Sequence, residues 1–240
     1  MPQAAPLHLI PVGLSESPIS GWLPADVKAL TRELTVFIAE NAKTARAFLK
    51  LVEPVVPLQE ITIHTLDKRG NKPGEMREWL KTALQGQAIG LVSEAGCPAV
   101  ADPGALVVAM AHEMKIPVRP HVGPSSILLS LMASGLDGQQ FVFHGYAPVD
   151  GAARAKQLKQ WESQSQALKQ TQILIETPYR NQAMYSTLLQ SLKPTTRLCL
   201  ARDLTGTREL IQTATVEQWR ERQPPALDKT PCIFLFLAGR

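Results

Sequence analysis

Strand-like and helix-like segments alternate strictly over the first 120 residues of this chain. Short apolar runs with the length of buried strands are each followed by a longer segment with the apolar spacing of a helix. Neighbouring parallel strands need a crossover connection, and a helix normally supplies it. This order therefore predicts a mainly parallel sheet covered by helices on both faces. The predicted strands are 7–11, 36–39, 61–64, 89–93 and 118–120, and the predicted helices are 25–34, 41–52, 75–84 and 105–114.

The second half of the chain continues the alternation but adds a hairpin signal. The turn at 205–207, Thr-Gly-Thr, separates two strand-like runs and indicates antiparallel pairing, so the second sheet should be mixed. We expect an α/β protein of two lobes, an N-terminal lobe over residues 1–120 and a C-terminal lobe over residues 121–240. The second lobe is predicted to have strands at 141–144, 173–176, 198–201, 210–213 and 233–237, and helices from 125, at 154–161 and at 182–192.

The segment from Ser93 to Gly104 is the most informative local feature. It follows a strand-like run, precedes an apolar helix and holds two glycines, two prolines and two carboxylates. Asp102 and Pro103 are typical of a helix start, with a cap acceptor followed by proline at the first helical position. Small ligands bind outside the carboxyl ends of the strands in open α/β sheets, so we interpret this segment as a ligand-binding turn. The alternative is that Gly96 and Gly104 only permit tight turns and that the segment binds no ligand.

This turn resembles the Val-Ser-Asp-Ala-Gly-Thr-Pro…Asp-Pro-Gly signature of the tetrapyrrole methylase superfamily, whose members are S-adenosylmethionine-dependent methyltransferases. Colinear matches extend the resemblance over nearly the whole chain. Within the superfamily the chain is most similar to the branch that contains ribosomal RNA small subunit methyltransferase I, which 2′-O-methylates a cytidine. The further matches are Leu9-Ile10-Pro11-Val12-Gly13, Gly123-Pro124-Ser125-Ser126, Ala133-Ser134-Gly135-Leu136 with 141–148, Glu176-Thr177-Pro178-Tyr179-Arg180 and Leu200-Ala201-Arg202-Asp203-Leu204-Thr205.

The resemblance implies a tetrapyrrole-methylase-like fold with S-adenosylmethionine in a cleft between the two lobes. Transfer from this donor is an in-line displacement that depends on orientation and demands no metal. Helix capping is the alternative role for Ser125 and Ser126, and an ion pair between strands is the alternative for Glu176 and Arg202. The expected cofactor-binding residues are Pro11, Val12, Gly13, Ser93, Glu94, Ala95, Gly96, Asp102, Gly123, Pro124, Ser125, Ser126, Glu176, Tyr179, Arg202 and Leu204.

The expected acceptor side departs from the pattern of this branch. Where the branch has Glu-Asp-Thr-Arg, the chain has Glu40-Asn41-Ala42-Lys43, which keeps the carboxylate and a positive charge but loses the guanidinium. Glu40 and Lys43 are therefore our acceptor-side candidates, and the catalytic base stays open. Since the departures fall on the substrate side and spare the cofactor side, they indicate a methyltransferase whose substrate has diverged.

The resemblance makes small-subunit ribosomal RNA the expected acceptor, through 2′-O-ribose methylation. Methylation of a small heterocyclic or tetrapyrrole-like molecule is one alternative, and binding of S-adenosylmethionine or S-adenosylhomocysteine without turnover is another. The net charge of +4, whose whole excess lies in residues 121–240, is compatible with an RNA partner but too small to prove one. The densest basic run, 68–72, fits a solvated loop or a phosphate contact.

Several classes of site and location are disfavoured. No apolar run has the length of a membrane span and no signal-like core opens the chain, so we expect a cytoplasmic protein. Cys97, Cys199 and Cys232 are far apart without metal-ligand spacing, and we expect them to be reduced. The five histidines show no helical metal-site spacing, and we expect no metal. A homodimer is expected by analogy with the superfamily.

Overall fold

Residues 4–67, 73–227 and 229–239 are described by the computed structural model of the protein. The basic run at 68–72 lies outside these residues. The chain divides into two units, Met1–Ser125 and Ser126–Arg240. The predicted division lies a few residues earlier, after residue 120. Residues 121–125 go with the first unit because the backbone N–H of His121 donates to the Leu9 carbonyl at 3.1 Å and Gly123 lies against Pro11.

The first unit contains a five-stranded sheet in which every pair of neighbours is parallel, in the order β3-β2-β4-β1-β5. This confirms the parallel sheet that the alternating segments predict. The strands are β1 (Leu7–Leu9), β2 (Val36–Ala39), β3 (Thr62–Thr65), β4 (Ile89–Val92) and β5 (Val118–Pro120). The helices are α1 (Ala25–Glu33), α2 (Ala42–Val52), α3 (Pro73–Leu84) and α4 (Gly104–Glu113), with short 3-10 turns at Ile19–Gly21 and Leu58–Glu60.

Strands β2 and β4 are wholly buried because apolar helices cover both faces of the sheet. Alternate side chains of a strand point to opposite faces. Val36 and Ile38 accordingly pack in one core cluster with α3 and α4, whereas Phe37 and Ala39 pack in the other with α1 and α2. The uninterrupted apolar character of these runs thus reflects burial on two sides.

The second unit contains a mixed sheet in the order β6-β7-β10-β8-β9. Strands β6 and β7 are parallel, and the other neighbours are antiparallel, including the predicted β8–β9 hairpin. The strands are β6 (Phe141–Tyr146), β7 (Thr171–Glu176), β8 (Arg197–Arg202), β9 (Leu210–Thr215) and β10 (Cys232–Leu237). The helices are α5 (Ser126–Ser134), α6 (Gly151–Leu168), α7 (Asn181–Ser191) and α8 (Val216–Glu221).

Two helices of the second unit differ from the sequence prediction. Helix α6 extends well beyond the predicted 154–161. The prediction was too short because the ends of the helix carry no apolar period. Helix α8 was missed altogether, although Thr215 and Gln218 form a capping box at its start. Its side chain Trp219 is buried and donates from Nε1 to the Leu198 carbonyl at 2.8 Å, which anchors α8 on β8.

We expect Trp219→Ala to lower the free energy of unfolding by about 3 to 5 kcal/mol, because it leaves a cavity and an unpaired carbonyl in the core of the second unit. Urea unfolding measures the effect. Val149→Ala is the control: its side chain is 74% exposed, so its cost should stay within about 0.5 kcal/mol. Equal effects of the two substitutions would show that α8 does not hold the second unit together.

Candidate functional site

Several of the predicted site residues follow the carboxyl ends of neighbouring strands in the first unit. Pro11 follows β1, Glu40 follows β2, Ser93 follows β4 and Gly123 lies three residues after β5. Because all these strands are parallel, their carboxyl ends meet at one edge of the sheet. The structure therefore brings together the first-unit residues that are far apart in the sequence.

The turns that follow β1 and β4 are tied by two backbone hydrogen bonds. The N–H of Val12 donates to the Gly96 carbonyl at 2.9 Å, and the N–H of Gly96 donates to the Val12 carbonyl at 3.0 Å. These two amides are among those that the sequence assigns to ligand binding. Since they already donate to each other, they shape the turn, and other groups must make any amide contact to a ligand.

The turn after β5 packs against the same two turns. An added Cβ on Gly123 would lie 2.3 Å from Cβ of Pro11, so only glycine permits this approach. The thiol of Cys97 donates to the Pro124 carbonyl at 3.4 Å, and burial raises the pKa of this thiol. Cys97 therefore stays protonated at neutral pH and joins two turns, which agrees with a packing role and not with that of a nucleophile.

The segment from Ser93 to Gly104 holds an unusual backbone conformation. Gly96, Ala99 and Ala101 have φ values of 73°, 66° and 60°, all in the left-handed region. Alanine pays a steric cost there, and such strain collects at functional sites. The Ser93 hydroxyl donates to the carbonyls of Ala95 and Gly96 at 3.1 and 3.0 Å, which holds the first half of the segment.

Asp102 holds the second half of the segment. Its Oδ2 accepts from the N–H of Ala99 at 2.9 Å, and its Oδ1 accepts from the N–H of Gly104 at 2.6 Å. Asp102 thus accepts from the first amide of α4, but the helix begins at Gly104 and its N-cap is Pro103, so the predicted positions of the cap and of proline are each one residue too early. Burial raises the pKa of Asp102 despite the two amides, which act to lower it. The carboxylate latches the strained turn.

The acceptor-side candidates lie at the same edge of the sheet. Glu40 accepts from the N–H of Glu94 through Oε1 at 3.2 Å, which links the end of β2 to the turn after β4. Asn41 caps α2 by accepting from the N–H of Lys43 at 2.8 Å. Lys43 is exposed in the first turn of α2. The carboxylate of Glu40 therefore contacts the turn after β4, and the ammonium group of Lys43 follows three residues later, in the first turn of α2.

In the second unit, Glu176 ends β7 and Arg202 ends β8, and the ion pair between strands that was the alternative to a cofactor role does not join them. Both residues are in register with Cys232 of β10, which lies between their strands, so about 10 Å separates them. Glu176 instead accepts from the N–H of Thr177 at 2.7 Å and pairs with Arg180. The Arg202 guanidinium donates to the carbonyls of Ala226 and Arg208.

Four buried polar atoms in the described part of the second unit have no hydrogen-bond partner. They are Nε of Arg180, Oδ1 of Asn181, the Tyr185 hydroxyl and Nε of Arg202. A buried polar group without a partner costs about 1 to 3 kcal/mol, so each of them is a candidate for a contact that a polar ligand supplies. Arg180 belongs to the Glu176–Arg180 match but not to the expected cofactor residues. Asn181 follows it directly, whereas Tyr185 lies in the core against Trp219.

The remaining predicted residues of the site take three different positions. Ser125 directly precedes α5, and Ser126 is its first residue, which is compatible with the capping role. Tyr179 is 84% exposed, whereas Leu204 is buried. Leu204 lies between Asp203 and Thr205, whose φ values of 52° and 65° make the turn after β8 a second strained segment.

Two absences hold for the described part of the chain. No group of three or more histidine, cysteine, aspartate or glutamate side chains there could hold a metal ion. None of its helices is long and apolar enough to cross a membrane.

Asp102 makes the stability of the first unit depend on pH. Because its folded-state pKa is raised above the ordinary value of 3.8, its contribution to stability is largest below that value and declines as the pH rises through the raised pKa. We expect wild type to gain free energy of unfolding relative to Asp102→Asn between about pH 7 and about pH 4 in urea unfolding. Asp137 is the control with the opposite sign, since amides of Gln139 and Gln140 lower its pKa. The same trend for Asp137→Asn, or none for Asp102→Asn, would show that burial does not raise the pKa of Asp102.

No family model matches the chain. Curated relatives named ribosomal RNA small subunit methyltransferase I nevertheless align with more than half of it. The protein of that name from Neisseria meningitidis serogroup B is 34% identical over 131 residues, which is 55% of this chain and 43% of that protein. The Mesorhizobium japonicum protein is 36% identical over 60% of the chain and 48% of its own length. The Synechocystis protein is 35% identical over 61% and 51%. The chain thus spans about half the length of these relatives.

Solved structures show the same fold over nearly the whole chain. The methyltransferase CobJ superimposes with a TM-score of 0.64 at 15% identity, covering 98% of this chain and 95% of its own. The uroporphyrin-III-C-methyltransferase from Thermus thermophilus gives a TM-score of 0.54 at 14% identity, covering 97% and 92%. The expected resemblance is confirmed: the chain has the fold of the tetrapyrrole methylases, and its sequence is similar to that of ribosomal RNA small subunit methyltransferase I.

Proposed function

We propose that this protein is an S-adenosylmethionine-dependent methyltransferase that acts on RNA. The observation that carries the proposal is the strained turn from Ser93 to Gly104, held by Asp102 and joined to the turn after β1 through Val12 and Gly96. It lies at the carboxyl edge of a parallel sheet, where ligands of such folds bind. The relatives with 34–36% identity that match this chain are named as ribosomal RNA methyltransferases, which favours RNA as the acceptor.

The residues of the chain fit S-adenosylmethionine in both units. In the first unit, Gly96 and Gly123 allow the turns after β1, β4 and β5 to approach one another closely at the sheet edge. In the second unit, buried donors and acceptors without partners suit the heteroatoms of a nucleoside and an amino acid. When bound, this cofactor supplies a methyl group already activated for displacement.

We assign two kinds of role to the expected cofactor residues. Supporting roles belong to residues whose backbone or side-chain polar groups are bonded within the protein; Arg202 is kept among the contact residues because its Nε has no partner. Direct contact is left to backbone groups of the turns and to side chains at the edge of the second sheet. The supporting residues are Val12, Ser93, Gly96, Asp102 and Glu176; the contact residues are Pro11, Gly13, Glu94, Ala95, Gly123, Pro124, Ser125, Ser126, Tyr179, Arg202 and Leu204.

On the acceptor side, the protein must hold a ribose hydroxyl in line with the methyl donor. Glu40 is fixed by its hydrogen bond with the Glu94 amide, and its carboxylate is an acceptor for the hydroxyl proton. Lys43, in the first turn of α2, supplies a positive charge for a neighbouring phosphate. Orientation is the main contribution asked of these residues, because proximity alone supplies several kcal/mol in such reactions.

A small heterocyclic acceptor has weaker support. The methyltransferases that share only the fold are 14–15% identical to this chain, whereas the sequence similarity is to ribosomal RNA enzymes. Binding of S-adenosylmethionine or S-adenosylhomocysteine without turnover is kept open by the altered 40–43 segment. The resemblance alone leads us to propose a cytoplasmic location and a homodimer.

Cofactor binding is tested by calorimetric titration with S-adenosylmethionine and S-adenosylhomocysteine. We expect Gly96→Val to weaken binding at least about 100-fold, because valine is strained at a φ of 73° and meets Leu14. Gly138→Val is the matched control, since an added Cβ there meets nothing within 4 Å. Circular dichroism checks that both variants fold. Wild type that fails to bind either ligand at millimolar concentration would overturn the proposal.

Methyl transfer is tested with radiolabelled S-adenosylmethionine and unmodified small-subunit ribosomal RNA, free and in the subunit. We expect Glu40→Gln to lower kcat by about 100-fold while the Kd for the cofactor stays unchanged, because glutamine keeps an oxygen that accepts from the Glu94 amide and loses only the charge that takes the hydroxyl proton. Unchanged kcat would remove Glu40 from the mechanism. Cofactor binding without any transfer to RNA would favour one of the two alternatives, and a tetrapyrrole acceptor then separates them.

A further inference from the structure

One exposed face of α2 carries a row of positive charges. Lys43, Arg46 and Lys50 are all exposed, and their spacing of three and four residues places them on the same side of the helix. They extend over about 10 Å along the helix axis. We call these three residues the basic face of α2.

The opposite side of α2 is fully used by the core of the first unit. Ala45, Phe48, Leu49 and Val52 are buried in the cluster that includes β2 and α1. The helix is therefore strongly amphipathic, and among its large apolar side chains only Leu51 is exposed, which is too little for insertion into a lipid interface. Burial of that side also fixes the direction in which the basic face points relative to the first sheet.

Nothing in the described part of the chain neutralises the basic face. Helix α2 contains no aspartate or glutamate, and none of the four ion pairs among the described residues involves Lys43, Arg46 or Lys50. The carboxylate that follows the helix, Glu53, pairs with Lys28. Like charges three and four residues apart destabilise a helix, so this arrangement opposes folding and calls for a partner of negative charge.

The basic face begins at the candidate acceptor site. Helix α2 starts just after Glu40, which is bound to the turn after β4, and Asn41 caps its first turn. The positive end of the helix dipole lies at the same place and adds to the attraction for an anion. Lys43 is nearest to this end and Lys50 farthest from it, so the charges lead from the sheet edge outwards along the helix.

We propose that the basic face of α2 binds consecutive phosphates of the RNA whose ribose enters the acceptor site. The inference rests on the proposed function and adds Arg46 and Lys50 to its substrate contacts. No aromatic side chain is exposed among residues 42–52 to stack on a base. The contact is therefore electrostatic: it positions the strand without reading its sequence.

The test compares two double variants that remove the same charge. Arg46→Ala/Lys50→Ala changes the basic face but leaves Glu40 and Lys43 intact. Lys156→Ala/Lys159→Ala is the control, because both lysines lie on a single helix, α6, of the second unit. The probes are a short fluorescein-labelled single-stranded RNA and small-subunit ribosomal RNA, and binding is measured by fluorescence anisotropy and filter binding over a range of salt concentrations.

We expect the α2 double variant to bind RNA about 25-fold more weakly at about 0.1 M salt, and its salt slope to fall by about 1.4, because each lost phosphate contact removes about 0.7. The α6 double variant should retain both values. The calorimetric Kd for S-adenosylmethionine should be unchanged in both. The Tm of the α2 variant should be equal or higher, since like-charge repulsion is relieved, whereas a merely structural role would lower it.

Failure of this inference differs from failure of the proposed function. Equal RNA affinities and salt slopes for the two double variants, in a protein that binds S-adenosylmethionine, would overturn the role of the basic face alone. Loss of binding to phosphatidylglycerol vesicles in the α2 variant, with RNA binding intact, would also overturn it in favour of a membrane. RNA binding through α2 by a protein that does not bind S-adenosylmethionine would support the basic face and overturn the methyltransferase.

Discussion

The pair of hydrogen bonds between Val12 and Gly96 is the constraint on which the candidate site depends. The carboxyl ends of the parallel strands lie at one edge of the first sheet, but strand direction alone does not bring the turns that follow them into contact. The two bonds join the turn after β1 to the turn after β4, and Gly123 brings the turn after β5 against Pro11. Three segments that are far apart in the sequence are thereby held together at one edge of the sheet, where ligands of such folds bind.

Much of the fold could be predicted because its signals are local. The continuous apolar composition of β2 and β4 indicates that these strands are buried, and a glycine turn indicates the β8–β9 hairpin. The extent of α6 and the existence of α8 could not be predicted in this way. Helix α8 is only six residues long, and the bond from Trp219 to Leu198, a tertiary contact, anchors it.

The sequence marked the turn after β4 but not the roles of the residues within it. Glycines and the Asp-Pro pair marked the turn, yet no sequence signal shows that Ala99 and Ala101 adopt left-handed backbone or that Asp102 holds them. The pairing of Glu176 with Arg180 was missed for a related reason. Whether two charges meet depends on strand order, and placing β10 between β7 and β8 separates Glu176 from Arg202.

Net charge gave no indication of the basic face, since the whole excess of positive charge lies in residues 121–240. Residues 1–120 have no net charge because acidic residues elsewhere in them offset the basic residues of α2. Net charge does not describe the electrostatic field within about 10 Å of a surface, which depends on the local arrangement of charges. The helical period of α2 thus places two groups of side chains on different sides: four apolar side chains pack in the core, and three cationic side chains on the other side are left to bind a polyanion. Local arrangement, and not composition, therefore supports the proposed contact between this chain and RNA.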